Sequence, residues 1–181
     1  MRKFAKQQNN FDTMDFENDL FELLKALSKA EIKFVVCGGV ACVLHGVERA
    51  TYDLDISVDF DKPNLEKIID LAKEFGLSPR IPEPVEKLCE KENRDRWVAE
   101  KNALVYTFVA ERSPLQLDIF LSYPMNFDEL MKNSEIIYLD EVKVNVSSVR
   151  DLLYAKEYIK PARDKDLIDI KELKRLNEQT N

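Results

Sequence analysis

The sequence predicts an α/β (α+β) fold, a small mixed sheet flanked by helices, built as a single domain over residues 1–181. Short runs of β-branched and aromatic residues alternate with segments whose apolar residues recur at helical spacing, and no internal repeat or low-complexity segment interrupts them. With 181 residues and 45% hydrophobic composition, the chain can bury one substantial core.

The elements follow in order. After a polar start, Asp12 or Thr13 can cap a helix whose Phe16, Leu20, Leu23, Leu24 and Leu27 share one face. Ile32 to Cys37 has the length and composition of a buried strand, and Gly38-Gly39 leads into a short helical stretch, Val40 to His45, closed by Gly46. Tyr52 to Val58 is the next strand. Leu65, Ile68, Ile69, Ala72 and Phe75 mark a helix capped by Asp61 or Asn64 and stopped at Gly76. Pro79, Pro82 and Pro84 then stiffen a connection into a charged, exposed helical insert around Val85 to Lys91. Ala103 to Ala110 and Leu115 to Leu121 form a hairpin across Glu111-Arg112-Ser113-Pro114. Two short strands, Glu135 to Leu139 and Val142 to Val146, flank Asp140-Glu141. Helices over Ser148 to Ile159 and Arg163 to Asn177 end the chain, separated by Pro161.

Composition narrows the function. A net charge of −7 and a pI near 5.0 count against an indiscriminate nucleic-acid binder, because such affinity comes mostly from phosphate neutralisation. A local basic patch stays compatible with that balance. The basic N-terminus lacks an apolar core segment, and the longest apolar run, Phe34 to Leu44, is too short for a bilayer, so a cytoplasmic protein without membrane contact is expected. Cys37, Cys42 and Cys89 show no metal-ligand spacing and are expected to be reduced, buried thiols.

The chemistry concentrates in "VVCGGVACVLHGVERATYDLDISVDF", residues 35 to 60. Two of the four glycines are adjacent at a strand-to-helix junction, where backbone N–H groups can meet a phosphate or merely turn tightly. Neither a GxGxxG nor a Gly-Lys-Ser/Thr pattern is present. Strand alternation puts Asp53 and Asp55 on one face and Leu54 and Ile56 on the other. Two carboxylates about 6 Å apart repel by about 3 kcal/mol at an effective dielectric near 20, a cost that a divalent cation reverses and that a wet face would also relieve. Asp118, in "LQLDIF", is a third acid inside an apolar strand; placed beside the first pair it would complete a two-metal phosphoryl-transfer site for Mg²⁺ or Mn²⁺.

These residues resemble the DNA polymerase β-like nucleotidyltransferase superfamily: a Gly-Gly pair, about a dozen residues, an acid-apolar-acid strand ("DLDI"), and a later third acid. The string "GGVACVLHGVERATYDLDI" is similar to the AbiEii-type nucleotidyltransferases, the toxins of type IV toxin–antitoxin systems, and "AKEYIKPARDKDLIDIKEL" to their Lys and Arg-x-Lys-Asp-x-x-Asp segment. The resemblance implies a nucleotidyltransferase core over 31–121, and a second lobe over 122–181 whose helices complete a cleft. It implies that Asp53, Asp55 and Asp118 hold two metal ions, with Asp118 helping to deprotonate the attacking hydroxyl. Gly38 and Gly39 would hold the triphosphate. Arg49 and Thr51 precede the acidic strand, and Arg49 could neutralise phosphate or pair with a surface carboxylate. Lys156, Arg163 and Lys165 are candidates for the β- and γ-phosphates or for an RNA acceptor, against the plainer reading of a solvated helix face. His45 is expected to cap or pack the short helix. A serine common in the family is replaced at Gly39 or Val40, which removes one hydroxyl from the phosphate and leaves the amides.

The implied reaction moves a nucleoside monophosphate from a nucleoside triphosphate to an acceptor hydroxyl. A tRNA acceptor needs a basic track, for which Arg80, Arg94, Arg96, Lys156, Lys160, Arg163 and Lys165 are available, with Trp97 and Tyr158 for stacking. A small hydroxylated antibiotic suits the acidic pI, a protein acceptor leaves no signature, and an antitoxin is the expected partner of a toxin. The competing reading is an inactive nucleotide-binding or partner-binding module on the same fold, with the charged 83–96 insert as its contact surface.

Overall fold

A computed structural model describes the backbone of residues 9–158, 160–161 and 163–180, and the side chains of residues 19–178 within those spans. In chain order the elements are α1 (Asn9–Lys29), β1 (Phe34–Val36), α2 (Gly38–Leu44), β2 (Asp53–Val58), α3 (Lys62–Glu74), β3 (Leu77–Pro79), a 3₁₀ turn (Val85–Cys89), α4 (Lys91–Lys101), β4 (Val105–Ala110), β5 (Gln116–Phe120), α5 (Phe127–Asn133), β6 (Glu135–Leu139), β7 (Val142–Val146), α6 (Val149–Tyr158) and α7 (Asp164–Thr180). All seven strands join one mixed sheet in the order β3-β4-β5-β2-β1-β7-β6.

The centre of this sheet fixes the site. β2 runs parallel to β5 with Leu54 beside Leu117 and Ile56 beside Ile119, and antiparallel to β1. That register gathers the apolar side chains of β2 and β5 on one face, where Leu23, Leu24 and Leu27 of α1 and Leu65 and Ile68 of α3 cover them. Each of these buried side chains contributes about 1.5–3 kcal/mol. Slipping β2 by one residue would drive the aspartates into this core, so the hydrophobic pattern sets the register. The opposite face carries a smaller cluster of Val35, Cys37 and Leu130, flanked by Phe120, Tyr123 and Phe127.

Local signals explain the element ends. The Asp61 carboxylate caps α3 by accepting from the Asn64 N–H at 2.7 Å. Buried Asn64 accepts from the Lys33 N–H at 2.8 Å and donates to the Lys33 and Asp59 carbonyls, tying the start of β1 to the end of β2. Asn126 and Glu129 form a capping box on α5. His45 ends α2, and its ring Nε2 lies 2.8 Å from the Ser147 carbonyl oxygen.

Several expectations need correction. α1 is already helical at Asn9, ahead of the expected cap at Asp12 or Thr13. The polar start over 1–8, the Phe16 side chain and Ile159 lie outside the described residues. Strand β3 and helix α5 had no expected counterpart: β3 is only three residues long, and α5 has a single fully buried residue, Leu130, too little for a periodic signal. The insert after Pro84 is longer and less exposed than expected, because Leu88 and Trp97 anchor it in the main core. Trp97, 2% exposed, is therefore unavailable as a stacking platform for RNA. Cys37 and Cys42 are free and buried, whereas Cys89 is only partly buried.

Candidate active site

The parallel register of β2 and β5 sets Asp55 directly beside Asp118, and Asp53 beside Gln116. Neighbouring strands lie about 4.8 Å apart, so the three carboxyl groups share one patch of the sheet. The cluster of Cys37, Phe120 and Tyr123 stands on this same side and thins the water around them. Burial, then the neighbouring Asp118 and Asp53 charges, push the Asp55 carboxyl up to about 7, although a hydrogen bond from Gly39 pulls the other way. Burial raises Asp118 as well, and the Thr107 hydroxyl draws it back. One oxygen of Asp118, Oδ1, is buried without a hydrogen-bond partner.

The glycine turn is shaped around Asp55. Cys37 N–H donates to the Asp55 carbonyl at 2.8 Å, and Gly39 N–H donates to its Oδ2 at 3.3 Å. Gly38 has φ +59°, and a Cβ there would sit 2.0 Å from Asp55 Oδ2. A Cβ on Gly39 would meet Thr51 Oγ1 at 2.7 Å and Arg49 Nη2 at 3.0 Å. Gly38 therefore excludes a side chain, one on Gly39 would push Thr51 and Arg49 aside, and the turn brings Arg49 and Thr51 against the same patch.

The C-terminal helices add a buried ionic network. Lys156 Nζ on α6 donates to Asp166 at 3.1 Å and Asp169 at 2.7 Å, both on α7. Arg49 donates to Asp169 at 2.5 Å, and Arg163 Nε donates to Asp166 at 2.6 Å. Asp166 and Asp169 are 2% and 1% exposed, so their charges survive burial only because these cations surround them. Burial acts to raise the Asp166 carboxyl, but Arg163 and Lys156 outweigh it and hold the group down at about 2. Arg49, which bonds Asp169, also packs against Gly39, and this contact sets the network beside the glycine turn.

Gly38, Gly39, Arg49, Thr51, Asp53, Asp55 and Asp118 are thus drawn together, with Lys156 joined through Asp169 to Arg49. Arg163 reaches the network from an exposed position, while Lys165 is exposed and outside it. Arg49 does pair with a carboxylate, but a buried one rather than a surface one. Asp166 and Asp169 are the two acids of the Arg-x-Lys-Asp-x-x-Asp segment noted in the sequence, which assigned them no role, and Thr107 was not singled out. The Asp166-x-x-Asp169 spacing, which puts two acids on one helical face, was the available signal for the first two. Thr107 gives none, because only the β4–β5 pairing sets it opposite Asp118.

Among the described residues, no group of three or more His, Cys, Asp or Glu side chains is already gathered as a metal cage. The donor set still suits a hard cation: oxygen ligands only, one of them unpartnered and another raised by burial and by the acidic groups beside it.

Residues 22–181 match the family model described as nucleotidyl transferase AbiEii toxin, type IV TA system. The chain belongs to the AbiEii family. Solved structures share the fold of this AbiEii member at low identity. A lincosamide antibiotic adenylyltransferase with lincomycin bound is 19% identical with a TM-score of 0.59, covering 88% of this chain and 97% of that one. The antibiotic-resistance factor ANT(2″)-Ia is 12% identical with a TM-score of 0.54, covering 93% and 92% respectively. An antigenic nucleotidyltransferase-like protein from Paracoccidioides brasiliensis is 14% identical with a TM-score of 0.55, covering 91% and 78%. No curated protein sequence matches the chain significantly. Family and fold identify a nucleotidyltransferase of a toxin–antitoxin class with the polymerase β-like fold. No helix among the described residues is long and apolar enough to cross a membrane.

Proposed function

We propose that this AbiEii member transfers a nucleoside monophosphate from a nucleoside triphosphate to an acceptor hydroxyl in a metal-dependent reaction in the cytoplasm. The observation that carries the reading is the in-register pair Asp55 and Asp118 beside Asp53, facing a glycine turn in which Gly38 leaves no room for a side chain. Asp53, Asp55 and Asp118 would hold Mg²⁺ or Mn²⁺, in two ions, which when bound supply Lewis-acid stabilisation of the phosphoryl oxygens.

The chain's own groups divide the remaining work. Backbone amides of the Gly38-Gly39 turn, with Arg49, Thr51, Lys156, Arg163 and Lys165, offer donors and positive charge to the phosphates. Asp118, its Oδ1 unpartnered, accepts the proton of the acceptor hydroxyl. That oxygen bonds to the α-phosphorus, the bond to the bridging oxygen breaks, and pyrophosphate leaves with the electron pair.

A small hydroxylated molecule is the acceptor favoured first, because part of the aromatic and basic material for RNA, namely Trp97, Arg94 and Lys156, is taken up in packing. Trp97 is buried, and Arg94 lies 4.5 Å over the Phe60 ring while donating to the Leu88 carbonyl. A tRNA end is the second reading, favoured by Tyr158, 66% exposed and paired with Tyr154 beside Lys160. An antitoxin partner follows from family membership alone, and a protein acceptor has no signature in the sequence.

The test is titration calorimetry with the four nucleoside triphosphates, in Mg²⁺ and in EDTA, on wild type and on Asp53→Ala/Asp55→Ala. Metal-dependent binding that vanishes in the double variant is expected. Absence of binding by wild type at millimolar nucleotide would replace the enzyme with a partner-binding module on the same fold.

A further inference from the structure

The acids belong to a row of side chains that crosses the sheet. Arg80 N–H donates to the Thr107 carbonyl at 2.9 Å, which carries the β3–β4 register one residue beyond the pairing of Pro79 with Phe108. Thr107 stands beside Asp118, and Asp118 beside Asp55. Residues directly opposed across strands share a face, so Arg80, Thr107, Asp118 and Asp55 follow one another on one side of the sheet. At the far end of the row, the Cys37 N–H bond to the Asp55 carbonyl brings in the glycine turn.

The Arg80 side chain reaches back over this face. Its Nη2 donates to Gln116 Oε1, and Gln116, two residues before Asp118, shares that side of β5. Arg49, Lys156 and Arg163 all close on Asp166 or Asp169. Arg80 instead is exposed, rests on a neutral amide, and among the described residues forms no ion pair, although its charge draws the Asp118 carboxyl down. A counter-ion for the acids would sit on a carboxylate. A guanidinium resting on an amide keeps a planar fork of N–H donors open to the paired oxygens of a phosphate or carboxylate.

The order of the row decides which reactant meets Arg80. In an in-line displacement the attacking and leaving oxygens lie on opposite sides of the phosphorus. With the triphosphate at the glycine turn, the acceptor hydroxyl comes to Asp118 from the β4 side, over Thr107, Val109 and Gln116, where Arg80 waits. Two residues along a strand span roughly 7 Å, so an anion on the guanidinium beside Gln116 lies roughly that far from Asp118, within reach of a group a few bonds from the hydroxyl.

We infer that Arg80 selects the acceptor, a hydroxyl compound that carries an anionic oxygen group, phosphate or carboxylate, a few bonds from the reacting hydroxyl. A neutral polyol leaves the fork unpaired, and a cationic amino alcohol meets like charge. Naming the bound compound an acceptor rests on the nucleotidyltransferase reading; the anion seat itself does not.

The experiment titrates isotope-labelled protein in Mg²⁺ with glycerol phosphate, glycerate, glycerol and serinol, following the backbone amide resonances of Val109 and Gln116, which persist when Arg80 is changed. Saturable shifts are expected, with a Kd of about 1 mM for glycerol phosphate and affinities at least about tenfold weaker for glycerol and serinol. Arg80→Gln should lose at least about tenfold toward the two anions, and Arg80→Lys, which keeps the charge without the fork, should fall between. No saturable response from a folded wild type, equal affinity for glycerol, or undiminished anion binding by Arg80→Gln would overturn the inference. A ribotrinucleotide that binds more tightly than glycerol phosphate and depends on Arg80 assigns the anion to a nucleic-acid end; weaker binding assigns it to a free ester. Calorimetry with Mg²⁺ and nucleoside triphosphates keeps the two ideas apart. Anion binding without nucleotide binding leaves the seat standing and removes the word acceptor, and nucleotide binding without a response at Val109 and Gln116 does the reverse.

Discussion

Asp55→Asn should stabilise the metal-free protein above neutral pH while abolishing its response to Mg²⁺. The Asp55 carboxyl is raised from 3.8 to about 7, first by burial and then by Asp118. Its folded pKa lies above its unfolded one, so the folded state holds the extra proton between those values and stability falls as pH rises through that window. Above about pH 7 the whole penalty is present; below about pH 4 none of it is. A shift of 7 − 3.8 = 3.2 is worth about 4 kcal/mol at about 1.4 kcal/mol per unit, and solvent reaching the partly exposed carboxyl trims this to about 1–3 kcal/mol. Asparagine keeps an oxygen that accepts from Gly39 N–H, so the hydrogen bond at 3.3 Å survives the change. Thermal denaturation at pH 5 and pH 8 in EDTA is the assay. For a chain of this size about 1 kcal/mol moves Tm by about 2–4 °C, so the variant should gain several degrees at pH 8 and roughly 40% of that at pH 5. Millimolar Mg²⁺ should raise the Tm of wild type at pH 8 and leave the variant unmoved. A variant less stable than wild type at pH 8, or one with an unchanged gap between the two pH values, refutes the crowding of Asp55 by burial and its acidic neighbours.

Other perturbations probe the turn and the network. Gly38→Ala puts a Cβ 2.0 Å from Asp55 Oδ2 at a φ of +59°; denaturant melts should show a loss of at least about 2 kcal/mol, and calorimetry a loss of metal-dependent nucleotide binding. Asp169→Ala leaves Lys156 without its 2.7 Å partner and Arg49 without its 2.5 Å one; urea titration should show destabilisation of about 3–5 kcal/mol.

The comparison of chain and fold separates two kinds of information. Alternation within six residues put Asp53 and Asp55 on one strand face, the apolar neighbours of Asp118 marked it as a buried-strand acid, and Gly38-Gly39 marked a junction needing bare backbone. These are local properties, fixed by strand geometry and by glycine's lack of a side chain, so the sequence by itself determined them. The Asp61 cap, the β4–β5 hairpin and the β6–β7 pair were legible for the same reason. Only the tertiary structure decided that β5 lies parallel to β2 with Asp118 beside Asp55, since any strand with the same alternation fits that edge equally well locally. It alone joined Arg49 to Asp169 across 120 residues and turned Trp97 from a surface platform into a core side chain. Burial is set by what the whole chain packs against a side chain, and no window of neighbouring residues contains that quantity.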